Sequence, residues 1–356
     1  MHAPMVTGLD RELAEAQAAL LARFAPDARV RRIRWSQGET QVFELGTGAP
    51  LLYLHGGFGG AFEVVPILAM LARNHRVLAV DRPGHGLADP FDYRGVDLLD
   101  HARTFLSDIL DALELPTVDV VANSLGALWA VAFAIEAPNR ISRLALVGAP
   151  AGIKQRPPLQ LILLGLPLIG QRLGRHVFST ATRDGSRKFW GQVLVKHPER
   201  VDDLLLDVDV AHSRRNVESM LGLMQCVADA RRLGLRRQLI LGERWEALTT
   251  PTLLVWGDAD AFGSPQEADS LVAKNPNLRL ARIAGAGHLP WLDDPERVVA
   301  ELERFLTTRP RTGTGRRRSD DPIDVAGREA NATAASNVDG LRSPADDRTA
   351  AEPSDT

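Results

Sequence analysis

The 356-residue chain has little of several features that would assign it to a particular class of protein. It has one cysteine, Cys226, so no disulfide can form within the chain and the fold must depend on packing alone. Its formal net charge of −3 gives no reason to expect nucleic acid as a partner, because binding to a phosphate backbone needs a clustered basic face. A single thiol suits a reducing compartment, and we predict a cytoplasmic protein.

A leader peptide and a long hydrophobic run are also lacking. The N-terminal segment has no basic region followed by an apolar stretch, so we predict no secretory signal. Its apolar spacing at Leu13, Leu20 and Leu21 instead predicts a short amphipathic helix. The longest apolar run, LQLILLGLPLIG at 159–170, is shorter than the roughly 20 residues that span a bilayer. We therefore predict a soluble protein without stable membrane insertion.

The chain does contain a repeated alternation of short apolar runs and helical patterns. Strands that are buried on both faces read as continuous apolar runs, which is typical of a parallel sheet covered by helices. The runs, each bounded by glycine, are LLYLHGG, RVLAVDRPG, VDVVANSLG, RLALVGAP and TLLVWGD. With an opening antiparallel pair at 29–45, the alternation predicts an α/β fold with a doubly wound, mostly parallel sheet.

The alternation stops after Pro150 and returns at Pro251, which predicts an insertion. Residues between these prolines are mostly helical in pattern, with no convincing strand. A helical insertion in an open sheet usually covers the edge where ligands bind. The tail has almost no large apolar residues and is predicted to be disordered. The predicted divisions are an N-terminal helix at 1–28, a first core part at 29–151, a helical cap at 152–248, a second core part at 249–308 and the tail at 309–356.

A serine lies in a short segment with small residues, between an apolar strand and a helical run. The segment reads Ala122-Asn123-Ser124-Leu125-Gly126, which differs from the G-x-S-x-G pattern only in having alanine at its first position. Small neighbours are needed where a strained strand-to-helix turn exposes a nucleophile. The alternative is that Ser124 is an ordinary helix N-cap.

A glycine-rich segment, HGGFGG at 55–60, follows the strand LLYL. Acyl-transfer chemistry needs two backbone N–H donors aimed at a developing oxyanion, and glycines leave such donors unobstructed. The predicted donors are Leu125, directly after the serine, and either Gly57 or Phe58. The alternative of a phosphate-binding loop is disfavoured because the glycine spacing matches neither common phosphate motif.

A candidate acid and a candidate base follow two later strands. In WGDAD at 256–260, Asp260 lies further into the loop and is our choice, with Asp258 as the alternative; either aspartate could instead cap a helix near 265. In GAGHLPW, His288 lies in a small-residue loop before the last helix. Its rival is His85 in DRPGHG, in a turn that is more typical of a structural role. The histidines without companion residues, predicted to lie at the surface or in structural roles, are His2, His75, His101, His176, His197 and His212.

The chain order serine, aspartate, histidine, each following a strand, is the α/β-hydrolase arrangement. Together with HGGFGG, DRPGHG, WGDAD and GAGHLP, it makes residues 30–307 resemble the α/β-hydrolase superfamily. The resemblance implies that residues 152–248 form a lid. The wording around Ser124 resembles the branch that cleaves carbon–carbon bonds in ring-fission products of aromatic catabolism. That branch usually has tryptophan after the histidine, where this chain has Leu289, and an arginine in the cap, for which Arg214 and Arg215 are candidates.

These features predict a carboxylesterase-like serine hydrolase that acts on a small apolar substrate with an ester or other carbonyl group. Ser124 would attack the carbonyl, His288 would accept its proton, and Asp260 would orient the imidazole. The alternatives are a carbon–carbon bond hydrolase, an acyltransferase or perhydrolase, and a non-catalytic ligand-binding member of the fold. No metal-ligand spacing or dinucleotide fingerprint is present, so we expect neither a metal nor a cofactor. The predicted substrate-binding residues are Asn123, Leu163, Leu166, Trp190 and Leu289.

Overall fold

The computed structural model describes residues 7–153, 158–166, 168–229, 231–232 and 234–307. The predicted tail at 309–356 lies outside the described residues, as do residues 1–6. Among the residues that are described, no helix has both the length and the apolar composition needed to cross a membrane.

One eight-stranded sheet forms the centre of the fold, in the order β1-β2-β4-β3-β5-β6-β9-β10. β1 and β2 are antiparallel to their neighbours, and the other six strands run parallel. This arrangement confirms the predicted fold class. The strands are β1 (Arg29–Trp35), β2 (Gly38–Leu45), β3 (Ala49–Leu54), β4 (His75–Val80), β5 (Val118–Asn123), β6 (Ile141–Val147), β7 (Ala228–Asp229), β8 (Gly234–Leu235), β9 (Thr252–Gly257) and β10 (Leu278–Ile283).

Helices cover both faces of this sheet. They are α1 (Gly8–Phe24), α2 (Val65–Leu71), α3 (Leu98–Ala112), α4 (Ser124–Glu136), α5 (Leu159–Leu164), α6 (Ile169–Ser179), α7 (Arg183–Val193), α8 (Asp203–Val227), α9 (Pro265–Lys274), α10 (Pro290–Asp293) and α11 (Pro295–Thr307). Every residue of β5 is buried, with Val120 and Ala122 in one apolar cluster and Val121 in the other. Alternate side chains of a strand point to opposite faces, so a continuous apolar run is required where both faces are covered.

The described residues between β6 and β9, which we call the helical insertion, contain α5 to α8. The insertion also holds a small hairpin in which β7 pairs with β8, whereas the sequence predicted no strand there. Two residues per strand are too few to produce a recognisable alternation. The long helix α8 packs against α1, α6 and α7. The N-terminal helix α1 begins with a capping box between Thr7 and Asp10.

Candidate active site

Four loops that carry the predicted site residues meet at one edge of the sheet. They follow β3, β5, β9 and β10, which are parallel, and parallel strands bring their carboxyl ends to the same edge. Ser124 and His288 line one cavity there, together with the glycine-rich loop.

Ser124 occupies a strained corner between β5 and α4. Its φ of +50° lies in the left-handed region, which residues other than glycine seldom adopt. This turn also packs closely against the loop after β3, because a Cβ added at Gly126 would lie only 2.5 Å from the carbonyl oxygen of His55. The helix N-cap is Asn123, so the alternative that Ser124 is an N-cap is wrong. The serine is held clear of the sheet by the backbone itself.

Asp260 and His288 form a buried pair beside this corner. Nδ1 of His288 lies 2.9 Å from Oδ2 and 3.0 Å from Oδ1 of Asp260. The carboxylate also accepts hydrogen bonds from the backbone N–H groups of Ala149 and Phe262, at 2.7 and 2.8 Å. The ring of Phe262 stacks on the imidazole with centroids 4.0 Å apart. These contacts hold both the position and the orientation of the imidazole.

Asp258, the alternative acid, has a different position. It is exposed, and its Oδ1 accepts a hydrogen bond from the N–H of Gly285 at 2.8 Å. The helix that follows, α9, is capped by Ser264 and Glu267 rather than by either aspartate. Asp260 is therefore the aspartate that the fold brings to His288, and neither aspartate caps a helix.

Nε2 is the second ring nitrogen of His288. It is buried and has no hydrogen-bond partner among the described residues. A buried polar atom without a partner is costly and calls for an explanation. Because the atom belongs to a residue of the cavity wall, a group bound in the cavity can satisfy it.

The carbonyl groups of the glycine-rich loop are held by buried side chains. Nη2 of Arg82 donates to the carbonyl oxygens of Gly56 and Gly57, the latter at 3.2 Å. Nε2 of His85 lies 2.9 Å from the same Gly57 oxygen. His85 is fully buried and both its ring nitrogens contact backbone oxygens, so the fold gives this rival of His288 a structural role.

The next carbonyl of the loop is held from the helical insertion. Nε2 of His212, on α8, lies 3.0 Å from the carbonyl oxygen of Phe58, and its Nδ1 accepts a hydrogen bond from the N–H of Gly86 at 3.2 Å. Burial lowers the pKa of His212 to about 3, so the ring is neutral and a proton on Nε2 satisfies both contacts. The sequence contained no signal for this contact, because His212 lies on a helix more than a hundred residues away in the chain.

Two backbone N–H groups near the serine lack the kind of partner that holds the carbonyl groups. Leu125 is the second residue of α4, so its N–H has no acceptor within the helix. The N–H of Phe58 donates to none of the residues that the structure describes. Both residues line the cavity, as does Gly57.

Apolar side chains of the insertion form much of the cavity wall. Asn123, Trp190 and Leu289, all predicted to bind substrate, line the cavity. The predictions for Leu163 and Leu166 are wrong: neither lines it, and Leu163 is 40% exposed. On the short helix α5 the cavity-lining residue is instead Leu161, because positions two residues apart lie on different sides of a helix. The other apolar lining residues from the insertion are Ala151, Phe189, Val193, Leu194, Leu223, Met224, Val227 and Leu235.

The amide of Asn123 is used within the core rather than in the cavity. Its Nδ2 donates to the carbonyl oxygens of Val147 at 2.7 Å and of His288 at 3.3 Å. The side chain therefore ties the end of β5 to the end of β6 and to the histidine loop.

Two carboxyl groups interrupt the apolar wall, and the sequence analysis missed both. Burial and the nearby Asp209 raise the pKa of Glu63 to about 8, and burial raises the pKa of Asp209 to about 6. Glu63 lies in the loop before α2 and Asp209 on α8, so only the tertiary structure brings them to one cavity.

Arg214 and Arg215, the candidates for a cap arginine, lie outside the cavity wall. Arg214 pairs with Glu12 at 2.7 Å, and Arg215 pairs with Asp10 at 2.6 Å. Both arginines therefore join α8 to α1. The suggestion that either binds substrate is not supported by their positions.

A mostly parallel sheet with a left-handed serine after one strand and a buried aspartate–histidine pair after two others defines the class of α/β-fold hydrolases. The Alpha/beta hydrolase family model matches residues 51–301, and the chain belongs to this family of enzymes. The resemblance noted in the sequence is thereby confirmed. Among the described residues, no group of three or more His, Cys, Asp or Glu side chains could hold a metal ion.

Similar proteins include hydrolases named for a dienedioate or for a meta-cleavage product, and esterases. A 2-hydroxy-6-oxononadienedioate/2-hydroxy-6-oxononatrienedioate hydrolase of Pseudomonas putida is 28% identical over 271 residues, covering 74% of this chain and 91% of the relative. Carboxylesterase CesB of Bacillus subtilis has a similar structure, with a TM-score of 0.66, 20% identity, and coverage of 85% and 99% of the two chains. A meta-cleavage product hydrolase of Pseudomonas fluorescens also has a similar structure, with a TM-score of 0.62, 19% identity, and coverage of 78% of this chain and 97% of that one. At these identities the structures support the fold alone.

Proposed function

We propose that the protein is a serine hydrolase that cleaves an ester, or a related carbonyl compound, with a small and largely apolar body. Ser124 is the nucleophile, His288 the general base and Asp260 the residue that orients the imidazole. The observation that carries the proposal is the buried pair of His288 and Asp260, 2.9 Å apart, whose histidine lines the same cavity as a left-handed serine.

The proposed reaction begins with proton transfer. Asp260 holds the proton of His288 on Nδ1, which leaves Nε2 to accept the proton of the Ser124 hydroxyl as its oxygen attacks the carbonyl carbon. The same Nε2 then delivers that proton to the departing alcohol, and the acyl group remains on Ser124. Water activated by His288 attacks this acyl-enzyme, releases the acid and restores the hydroxyl.

The negative charge on the carbonyl oxygen has two proposed donors, the backbone N–H of Leu125 and that of Phe58 or Gly57. The contacts of Arg82 and His85 to the carbonyls of this loop support the proposal, because a peptide unit that is held at its oxygen has a fixed N–H direction. The carbonyls of Gly56 and Gly57 share their peptide units with the N–H groups of Gly57 and Phe58. Loss of one such donor typically costs about 10²–10³ in rate.

The helical insertion acts as a cap over this chemistry in our proposal. It contributes Leu161, Trp190 and further apolar side chains to the cavity wall, and such walls suit apolar acyl or alcohol groups. The loop ahead of the insertion's longest helix is joined to the histidine loop, since the N–H of Leu289 donates to the carbonyl of Leu194 at 2.8 Å. A cytoplasmic location stays a prediction from composition.

Carbon–carbon bond hydrolysis is the second candidate function. It is favoured by the Pseudomonas putida relative, which is named a hydrolase of a dienedioate and of which this chain covers 91%, together with the resemblance around Ser124 noted in the sequence. The same serine, histidine and aspartate would serve, so the two candidates differ in the substrate rather than in the proposed catalytic residues.

The test is hydrolysis of p-nitrophenyl esters from acetate to dodecanoate by the wild type, by Ser124→Ala and by the control Ser142→Ala, an exposed serine on β6. We expect Ser124→Ala to lose at least about 10³-fold in kcat while the control stays within about twofold. A fluorophosphonate should label the wild type and not Ser124→Ala, as measured by intact mass.

Cleavage of 2-hydroxy-6-oxononadienedioate without ester turnover would favour the second candidate. If Ser124→Ala matches the wild type on every substrate, the catalytic assignment is wrong.

A further inference from the structure

We propose that Glu63 and Asp209 form a cation-binding subsite in the cavity, and that the substrate carries a protonated amine in the part that fills it. The inference deepens the proposed hydrolase function by naming a substrate class. No residue of the proposed reaction takes part in this subsite.

Glu63 is 4% exposed and lies in the cavity wall. Its carboxylate packs closely on the backbone of Gly59, where an added Cβ would lie 2.1 Å from Oε1. Its Oε2 is buried and has no hydrogen-bond partner among the described residues. A buried carboxylate oxygen that faces a cavity without a partner is an acceptor for a ligand.

Asp209 contributes the second carboxylate from the helical insertion, where it accepts hydrogen bonds from the side chains of Ser186 and Trp190. It lines both the cavity next to Ser124 and an adjoining outer cleft that includes Phe178 and Thr182. A substrate that extends from the cavity into the cleft therefore passes beside Asp209.

No described cation neutralises either carboxylate. Neither Glu63 nor Asp209 forms a salt bridge with a described residue, and no arginine or lysine lines the cavity. Arg82 is buried and its charge lowers the pKa of Glu63, but it does not pair with that carboxyl group. Its guanidinium instead donates to the carbonyls of the glycine-rich loop and lies 4.9 Å from the centre of the Trp129 ring. Oε2 of Glu63 is the buried carboxyl oxygen of the pair that has no partner among the described residues, and an ammonium group in the cavity would supply the missing donor.

The charge of the pair matches one amine. With a pKa of about 6, Asp209 is ionised at neutral pH, whereas Glu63, with a pKa of about 8, mostly keeps its proton. The pair then carries about one negative charge and can still accept hydrogen bonds at several oxygens. A dicarboxylate, such as the dienedioate named for the Pseudomonas putida relative, would meet like charge in a poorly hydrated cavity.

The test uses three p-nitrophenyl esters of similar length with the full-length protein: a cationic 6-aminohexanoate, a neutral heptanoate and an anionic adipate. We expect kcat/KM to be at least about tenfold higher for the cationic ester than for the neutral one, and lower again for the anionic one. Asp209→Asn should remove most of the preference for the cation. The control Asp207→Asn, two residues earlier on α8 and paired with Arg183 at the surface, should retain it.

A binding measurement separates this inference from the proposed function. Titration calorimetry of the wild type should show hexylammonium binding at least about tenfold more tightly than hexanoate, with the difference lost in Asp209→Asn. Ester turnover that is indifferent to charge, with equal binding of the two ligands, would overturn the subsite while leaving the hydrolase proposal intact. Charge-dependent binding without turnover of any ester would support the subsite and count against the hydrolase proposal.

Discussion

The carboxyl edge of the sheet and the helical insertion build one cavity in different ways. At the edge, each proposed catalytic residue follows a strand of the sheet by a few positions, and backbone contacts leave little freedom around Ser124. In the insertion, cavity-lining side chains are scattered over α5, α7 and α8. Among the described residues, most of the exposed large apolar side chains also lie in the insertion: Leu159, Leu163, Leu168, Leu173 and Val177.

We attribute the proposed chemistry to the edge of the sheet and the fit to the substrate to the insertion. Residues that must meet within about 3 Å need a rigid frame, and buried parallel strands provide one. A wall that only has to exclude water and fit a substrate can be made of helices whose outer faces vary. His212 is the point where the two regions meet, since it reaches from α8 to a carbonyl of the glycine-rich loop.

The largest effect should come from breaking the edge itself. Asp260→Asn leaves the shape of the site but loses the acceptor that holds the Nδ1 proton of His288, so we expect kcat to fall about 10³–10⁴-fold. Asp258→Asn, in the same loop, should stay within about twofold because Asp258 is exposed and contacts only Gly285 among these loops. Steady-state ester hydrolysis measures both. Equal losses in the two variants would contradict the assignment of the acid.

An intermediate effect should come from the contact between the two regions. His212→Phe keeps a ring of similar size but removes the donor to the Phe58 carbonyl and so frees the peptide unit that adjoins the proposed oxyanion donors. We expect kcat to fall about tenfold, less than for direct loss of a donor, with a smaller change in KM. His197→Gln, in a half-exposed loop of the insertion, is the matched control and should change little. An unchanged kcat in His212→Phe would mean that the insertion does not help to position the glycine-rich loop.

The smallest effect concerns stability where core and insertion share the cavity. Burial raises the pKa of Glu63 to about 8 and that of Asp81 to about 7, so the folded protein keeps protons that the unfolded chain releases above about pH 4.5. Raising the pH therefore favours unfolding. The buried histidines, whose pKa values are lowered, oppose this only below about pH 6.5. From about pH 6.5 to 8.5 we expect Glu63 to cost roughly 2 kcal/mol.

Urea unfolding across that pH interval checks this expectation. Glu63→Gln should flatten the pH dependence, and Glu136→Gln, at an exposed position near the end of α4, should leave it unchanged. A pH dependence that is identical in Glu63→Gln and the wild type would show that Glu63 is not the buried acid responsible.

Much of the edge could be predicted from sequence because its determinants are local. Continuous apolar runs are required where both faces of a strand are covered, and Ser124 and Asp260 each follow such a strand. His288 follows β10, which is only partly buried, and is marked instead by its loop of small residues. The choice of Asp260 over Asp258 agrees with the contacts of the two side chains. The choice of Leu163 failed because the segment 159–164, with Gln160 as its one polar residue, gives too little contrast between faces to show which side is buried.

By itself, the sequence determined the fold class, the family and the strand ends that carry the proposed catalytic residues, because strand burial and turn chemistry act over a few residues. The tertiary structure alone decided which side chains meet across long separations. It brought His212 to Phe58, brought Asp209 to Glu63, and turned Arg214 toward α1 instead of the cavity. These outcomes depend on how the insertion packs on the core, and that packing is set by many weak contacts that no local pattern records.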